Sequence, residues 1–406
     1  MAEGGPTKQQ RRNFYLVILS VVSMQVTAST IYMVFPLFFA DAGISKTESG
    51  LLISVGTFAG VISGVVAGVF SNRYGRKILL LTGTLLYALV FFLFAYLDHG
   101  FGMLMFLRFI EGLGFYVMPV MVTTMAADTF PVRDRGKAMS LFSASFGFGS
   151  LIGPLISPYL ISGNDYMFYF LFSGGSVLVS AIVMALFVRE TLPEALKQRT
   201  EASAAGGVDI GGFLRSIKEL GVVVLVFLVA ILIFRTGYTM IDPFFSLYLK
   251  DVLHLDLSLT SYVFALRAIC TILFSPIAGI LIDRYGRKRS ILFGLGMTVI
   301  TLVGYTFVDG LIPIIFLRAL DAVAMALLLT GINTLMADLL SPEMRGFGMG
   351  LQSSITQQSS TVGALFSGLI IDASGYNEVF YIAAALCLIA LFMTEIRVHE
   401  PRGTEL

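Results

Sequence analysis

A few ionisable side chains interrupt the long apolar stretches of this chain, and their spacing is the first sign of chemistry. Arg108 and Glu111 stand three residues apart, and Arg318 and Asp321 repeat the arrangement; at that spacing two side chains on one helix can meet and pair. Arg235 and Asp242 are seven apart, close to two helical turns and so nearly on one face. Arg267 stands in a further apolar run. Charge in hydrocarbon is costly, so such residues mark a substrate, ion or proton route by default. A carboxyl group whose charge is disfavoured by desolvation and favoured by a neighbouring arginine can be switched by an arriving substrate. Glu111 is the first candidate for such a proton carrier and Asp321 the second. The competing reading is that the pairs are internally neutralised and only hold helices together. Enzyme chemistry is the least supported class. The three histidines, His99, His254 and His399, lie near loops or the tail, with no metal cluster or nucleophile–base pattern around them. No catalytic residue, metal ligand or cofactor is therefore expected.

The elements that must position these charges follow from composition. Hydrophobic residues make up 56% of the chain and charged residues 13%, about half the charge of a typical soluble protein, and mean hydropathy is +0.86. A membrane-crossing helix needs about 20 apolar residues. Runs of that kind fall at 13–39, 47–71, 78–98, 102–127, 138–161 and 167–188, then at 219–249, 259–282, 289–308, 312–337, 347–371 and 378–396. The prediction is an all-α membrane protein with twelve transmembrane helices in two pseudo-symmetric six-helix bundles. Residues 1–188 form the first bundle, 189–218 a central linker and 219–406 the second. The first run is too long for a signal-peptide core and is read as a retained helix. Cys270 and Cys387 lie inside apolar runs, which argues against a disulfide framework.

Orientation follows from the basic residues, which stay on the cytoplasmic side. Lys8, Arg11 and Arg12, then Arg73, Arg76 and Lys77, Arg133, Arg135 and Lys137, and Arg284, Arg287, Lys288 and Arg289 mark successive turns on one side. The linker and the C-terminal tail add more, while Lys46 and Lys250 fall on the other side. Both termini are expected in the cytoplasm of a cell-membrane protein. The end of the linker, 212–218, has the pattern of a short surface helix, with a solvated linker as the alternative. A formal charge of +1 gives no reason to expect nucleic acid.

The chain repeats itself. Gly68-Val69-Phe70-Ser71-Asn72-Arg73-Tyr74-Gly75-Arg76-Lys77 returns as Gly279-Ile280-Leu281-Ile282-Asp283-Arg284-Tyr285-Gly286-Arg287-Lys288. Arg108 and Glu111 return as Arg318 and Asp321, and Ala127-Asp128 with Arg135-Gly136 returns as Ala337-Asp338 with Arg345-Gly346. All three correspondences fall about 210 residues apart, in the same order.

A glycine-containing, Arg/Lys-rich turn after the second and eighth spans resembles the signature loop of the major facilitator superfamily. Arg108-x-x-x-Gly112-x-Gly114 is similar to its second motif, and Gly149-x-x-x-Gly153-Pro154 resembles the antiporter motif of its drug–proton exchangers. The likeness covers essentially the whole chain and implies the major facilitator fold. After Pro154 the family pattern has a glycine pair, where this chain has Ser157-Pro158. The resemblance also implies a cytoplasmic latch built from Asn72, Arg73, Gly75, Arg76 and Asp128 with Asp283, Arg284, Gly286, Arg287 and Asp338. Asn72 would meet the chain near Gly346, and Asp283 the chain near Gly136. The family usually carries Asp where this chain has Asn72, so the latch is expected to be weaker there.

Gly56, Gly60, Gly64 and Gly68 form a smooth stripe on the second span, and Ser145, Gly149, Gly153 and Ser157 one on the fifth. Such stripes permit close helix approach, which suits either static packing within a bundle or two bundles that rock. By resemblance, spans 1, 4, 7 and 10 line a central cavity. Span 1 supplies Gln25 and Tyr32 in place of an acid, beside Arg108, Glu111, Arg235, Asp242, Arg318 and Asp321. The leading expectation is proton-driven efflux of amphipathic organic compounds by a monomer in the lipid bilayer, with a small-molecule substrate and protons as partners. The alternatives are a specific symporter or facilitator for a small metabolite or organic anion, and a transporter-derived receptor without transport.

Overall fold

The computed structural model describes residues 6–97, 100–193, 217, 219–341 and 344–398. Among these, helices account for nearly everything. The first half holds α1 (Lys8–Asp41), α2 (Lys46–Tyr74), α3 (Arg76–Tyr96), α4 (Phe101–Thr129), α5 (Val132–Leu160) and α6 (Met167–Phe187). The second holds α7 (Gly221–Thr239), a 3-10 turn (Asp242–Phe244), α8 (Phe245–Asp251), α9 (Leu257–Tyr285), α10 (Arg287–Tyr305), α11 (Leu311–Leu339), α12 (Arg345–Ser374) and α13 (Tyr376–Arg397). Residues 212–216 and 218 of the expected surface helix lie outside the described residues.

Local chemistry sets several boundaries. The expected start of the first helix at Asn13 moves back to Lys8, because Thr7 and Gln10 form a reciprocal cap. The Thr7 hydroxyl accepts from the Gln10 N–H at 3.2 Å, and the Gln10 side chain accepts from the Thr7 N–H at 2.9 Å. The expected continuous span 219–249 is broken. Pro243 has no N–H to donate and disfavours helix at the residue before it. The chain accordingly leaves the α-helix at Thr239, and the Met240 and Ile241 N–H groups reach back only three residues, to Gly237 and Tyr238. α7 and α8 together still span Gly221–Asp251.

Ten of the described segments are long and apolar enough to cross a membrane. Of the twelve expected, α10 and α12 are helical but more polar: α10 opens with Arg287, Lys288 and Arg289, and α12 carries Gln352, Gln357 and Gln358. Large apolar side chains such as Leu186, Ile280 and Ile312 point outward, as a lipid environment requires.

Contacts group the chain into two units. One comprises Met1–Ile44 and Val55–Gly206, the other Ser45–Ser54 and Gly207–Leu406. The head of α2 thus groups with the second half of the chain. In the first unit Phe35 of α1 is the hub of an aromatic core, with ring centroids of Phe94, Phe39 and Phe170 at 5.1, 5.5 and 5.9 Å. In the second, Tyr248, Phe245, Tyr305 and Phe380 play that part, Tyr248 and Phe380 lying 5.0 Å apart.

Candidate functional site

In the first unit the Arg108–Glu111 pair sits on α4. Arg108 donates from Nη1 to Glu111 Oε2 at 2.7 Å, the two side chains only 3% and 4% exposed. The guanidinium carbon lies 4.9 Å from the centroid of the Phe35 ring, so the cation also has an aromatic face to rest on. The reason for glycine at 56 is visible here: a Cβ at that position would stand 2.6 Å from Arg108 Nη2. The stripe on α2 therefore packs on α4 within one unit, Gly56 against Arg108 and Gly112, and Gly60 against the ring of Tyr116. Gly64 is in ordinary contact with Val120, and Gly68 would meet nothing within 4 Å, so the stripe's packing role fades toward its end.

The second stripe packs on α1. Gly149 lies against the backbone of Gln25, and Gly153 leaves room for Ser29. The Ser29 hydroxyl donates to the Gly149 carbonyl at 2.7 Å. Pro154 sits inside unbroken α5. Gln25 is 1% exposed and reaches Met118 of α4, its Nε2 donating to the sulfur at 3.8 Å. Tyr32 is half-buried on the same helix.

The second unit repeats the pair and elaborates it. Arg318 Nη1 lies 3.2 Å from Asp321 Oδ2, both side chains 1% exposed. Arg267 on α9 adds its Nε to the same oxygen at 3.3 Å and gives its Nη1 to Asp242 Oδ1 at 3.0 Å. Tyr238 of α7 donates to Asp321 at 3.0 Å and itself accepts from Arg267 Nη2. Two arginines and two aspartates are thus joined through one shared guanidinium. The cluster is graded: Asp321 and Arg318 are dry, while Arg267 and Asp242 are 23% and 25% exposed. Arg318 lies over Phe245, its central carbon 3.8 Å from the ring centroid, and its Nε and Nη2 make no hydrogen bond among the described residues.

Spacing alone was misleading at one point. Asp242 was expected to share a helical face with Arg235, but the break before Pro243 turns it to Arg267 instead. Arg235 is half-buried on α7. Tyr238, absent from the expected set, is the residue that ties α7 to α9 and α11. A signal for it exists in the sequence, since it lies three residues after Arg235 and four before Asp242.

The arginine loops are stapled within each unit. Gly75 and Gly286 take φ of 102° and 94°, values an L side chain resists, and so permit the abrupt turns from α2 to α3 and from α9 to α10. Arg76 is buried, its Nε 2.8 Å from Asp128 and its Nη1 donating to the Ser71 carbonyl. Arg287 repeats the pair with Asp338 at 2.9 Å. Glu190, which carries no sequence signal of its role, joins the first loop. Its two carboxylate oxygens accept from the Arg76 and Lys77 N–H groups at 2.9 and 3.0 Å, placing an anion at the start of α3. Arg73 and Arg284 each lie over the following tyrosine, at 5.5 Å. Asn72 is half-buried and Asp283 exposed.

The family model of the Major Facilitator Superfamily matches residues 17–234 and again 227–405. Among curated proteins, the chain is 24% identical over 400 residues to multidrug resistance protein MdtG of Proteus mirabilis, covering 97% of each. It is 21% identical to multidrug resistance protein 2 of Bacillus subtilis, covering 96% of each. It is 22% identical to quinolone resistance protein NorA of Staphylococcus aureus, over 89% of this chain and 88% of that one. Among solved structures, nucleoside transporter NupG superposes with a TM-score of 0.78 at 12% identity, covering 95% of this chain and all of that one. A D-xylose-proton symporter gives 0.74 at 16% identity, covering 98% and 99%. The fold is the major facilitator fold, and this chain, a multi-pass membrane transporter of small molecules, belongs to the major facilitator superfamily.

Proposed function

We propose that the chain exports amphipathic organic compounds across the cell membrane by alternating access, driven by proton entry. The observation that carries the coupling is the shared guanidinium of Arg267, bonded to buried Asp321 and to partly exposed Asp242. A proton arriving at Asp242 neutralises one partner of Arg267 and leaves the cation to Asp321 and Tyr238. A proton passed to Asp321 instead leaves Arg318 and Arg267 without their common counter-charge, a state that a bound substrate or a new helix arrangement must relieve. Glu111 pairs with Arg108 one turn away on its own helix, both side chains almost fully buried. The proton carrier in this reading is the Asp242–Asp321 pair rather than Glu111. The drug-resistance names of the curated relatives support the substrate class.

The test is ethidium efflux from inside-out vesicles or proteoliposomes with and without a proton gradient. Asp321→Asn and Asp242→Asn are expected to abolish gradient-driven movement while leaving downhill exchange measurable. Full coupling in both variants would refute the assignment, and retained coupling in Glu111→Gln would exclude Glu111. One observation favours a second reading, a symporter or facilitator for a small organic anion: Nε and Nη2 of Arg318, which have no hydrogen-bond partner among the described residues, suit a carboxylate. A panel of dyes, sugars and carboxylates in the same vesicles separates the two readings. The same proposal places both termini in the cytoplasm, with a monomer as the working unit and the 189–218 linker joining bundles 1–188 and 219–406. It also assigns Asn72 and Asp283 to a latch that favours the outward-open state.

A further inference from the structure

Where the apolar run of α1 begins, the helix meets the start of α5 and leaves a cleft of about 110 Å³ that none of the transport chemistry above uses. Phe14 and Phe130, both buried, form its floor in edge-to-face contact, with ring centroids 5.1 Å apart. Tyr15 of α1 and Leu141 of α5 add apolar wall. The rim is charged: Arg11 comes from α1, and Asp134 and Lys137 come from the first two turns of α5. All of these residues belong to the first unit.

The charged groups at the rim are loosely committed. Lys137 Nζ lies 3.2 Å from Asp134 Oδ1, but the lysine side chain is 87% exposed, so the pair is weak and the ammonium can turn to another anion. Asp134 stands in the first turn of α5, where the helix end favours a negative charge and offsets part of its repulsion. Arg11 is exposed, and exposed Lys8 stands one turn before it on α1. The cleft thus offers two cations against one carboxylate, with a third cation close by. Its volume lies below the roughly 300 Å³ at which pockets for drug-sized molecules begin, but leaves room for a group the size of a phosphate. Beyond the rim the surface is apolar. Tyr15 and Leu19 are 56% and 63% exposed and four residues apart, so they form one stripe down the outside of α1. Tyrosine is favoured at this level, where headgroups meet hydrocarbon.

From these observations we propose that the cleft binds an acidic phospholipid, its phosphate between Arg11 and Lys137 and its acyl chain along Tyr15 and Leu19. The guanidinium supplies N–H donors in a fixed plane that matches phosphate oxygens, and the ammonium supplies a movable point charge. Charge at the rim and an apolar stripe below it together suit a lipid, whereas free phosphate would use the rim alone. The bound lipid ties the start of α1 to the start of α5. The inference rests on the chain's place in a membrane, and not on proton coupling, the direction of transport or any particular substrate.

The test uses a fluorophore placed on the cleft wall. The chain contains no tryptophan, so Tyr15→Trp, at an exposed position, supplies a single reporter. In phosphatidylcholine vesicles, quenching of this reporter by brominated phosphatidylglycerol is compared with quenching by brominated phosphatidylcholine. A basic side chain near the bilayer surface is worth about fivefold in affinity for an acidic lipid. Phosphatidylglycerol is therefore expected to be preferred by about fivefold or more, and Arg11→Gln or Lys137→Gln to lower that preference about fivefold. Arg12→Gln removes the same charge from a residue outside the cleft and is expected to leave the preference within about twofold. Arg11, Arg12 and Lys137 are all exposed, so these variants keep the fold. Phosphatidylglycerol that quenches no better than phosphatidylcholine would overturn the site. An equal loss in Arg12→Gln and Arg11→Gln would also overturn it, by reducing the preference to general attraction toward a basic helix end.

Discussion

Glu111→Leu is the sharpest probe of how the buried charges are held. Arg108 and Glu111 are bonded at 2.7 Å with side chains 3% and 4% exposed, so neither can turn to water when the other is removed. Losing one partner of a buried pair costs about 3–5 kcal/mol, because the remaining charge stays desolvated. Phe35 under the guanidinium returns part of this, on the order of 1 kcal/mol. The single variant should therefore lose about 2–4 kcal/mol. The double variant Arg108→Met with Glu111→Leu removes both charges and refills the site with apolar atoms of similar volume. It should return to within about 1 kcal/mol of the parent, since an unbranched methionine keeps clear of the backbone at Gly56. The assay is reversible unfolding in mixed micelles, with Asp242→Leu as comparison. Asp242 is 25% exposed, and Arg267 keeps Asp321 as a partner when it is lost, so the comparison should cost about 1 kcal/mol or less. A double variant as unstable as Glu111→Leu, or an Asp242→Leu loss equal to it, refutes the burial argument.

Glu190→Ala uncovers the Arg76 and Lys77 N–H groups at the start of α3 and should cost about 1 kcal/mol in the same assay; no change would mean that water caps the helix equally well. Gly56→Val places a side chain where the Arg108 guanidinium lies and should destabilise by about 1–3 kcal/mol, whereas Gly68→Val, with open space around it, should stay within about 0.5 kcal/mol. Asp283→Ala is expected to shift spin-label distance distributions toward the inward-open population, and an unaltered distribution counts against the latch.

Much of this molecule is written in short-range rules that a sequence exposes directly. The spans announce themselves because hydrocarbon tolerates only runs of about 20 apolar residues with satisfied backbones. The duplicated loops are equally plain, since a tight turn with positive φ needs Gly75 or Gly286 whatever surrounds it. The Arg108–Glu111 and Arg318–Asp321 pairs follow from three-residue spacing on one helix. What spacing cannot carry is any partnership between helices. It paired Asp242 with Arg235 across a helix that Pro243 breaks, and only the packing of α7, α9 and α11 brings Asp242, Tyr238 and Asp321 to Arg267. It marked the glycines of α2 as a smooth stripe but could not say what lies against them, which proved to be Arg108, Gly112 and Tyr116 of α4. It gave no sign of Glu190 at the α3 terminus or of Lys46 beside Asp251, because those contacts join residues more than a hundred positions apart. Helices and turns are local bargains between a residue and its near neighbours. The partners of a buried charge are settled only when distant helices pack and take away the water that would otherwise have served.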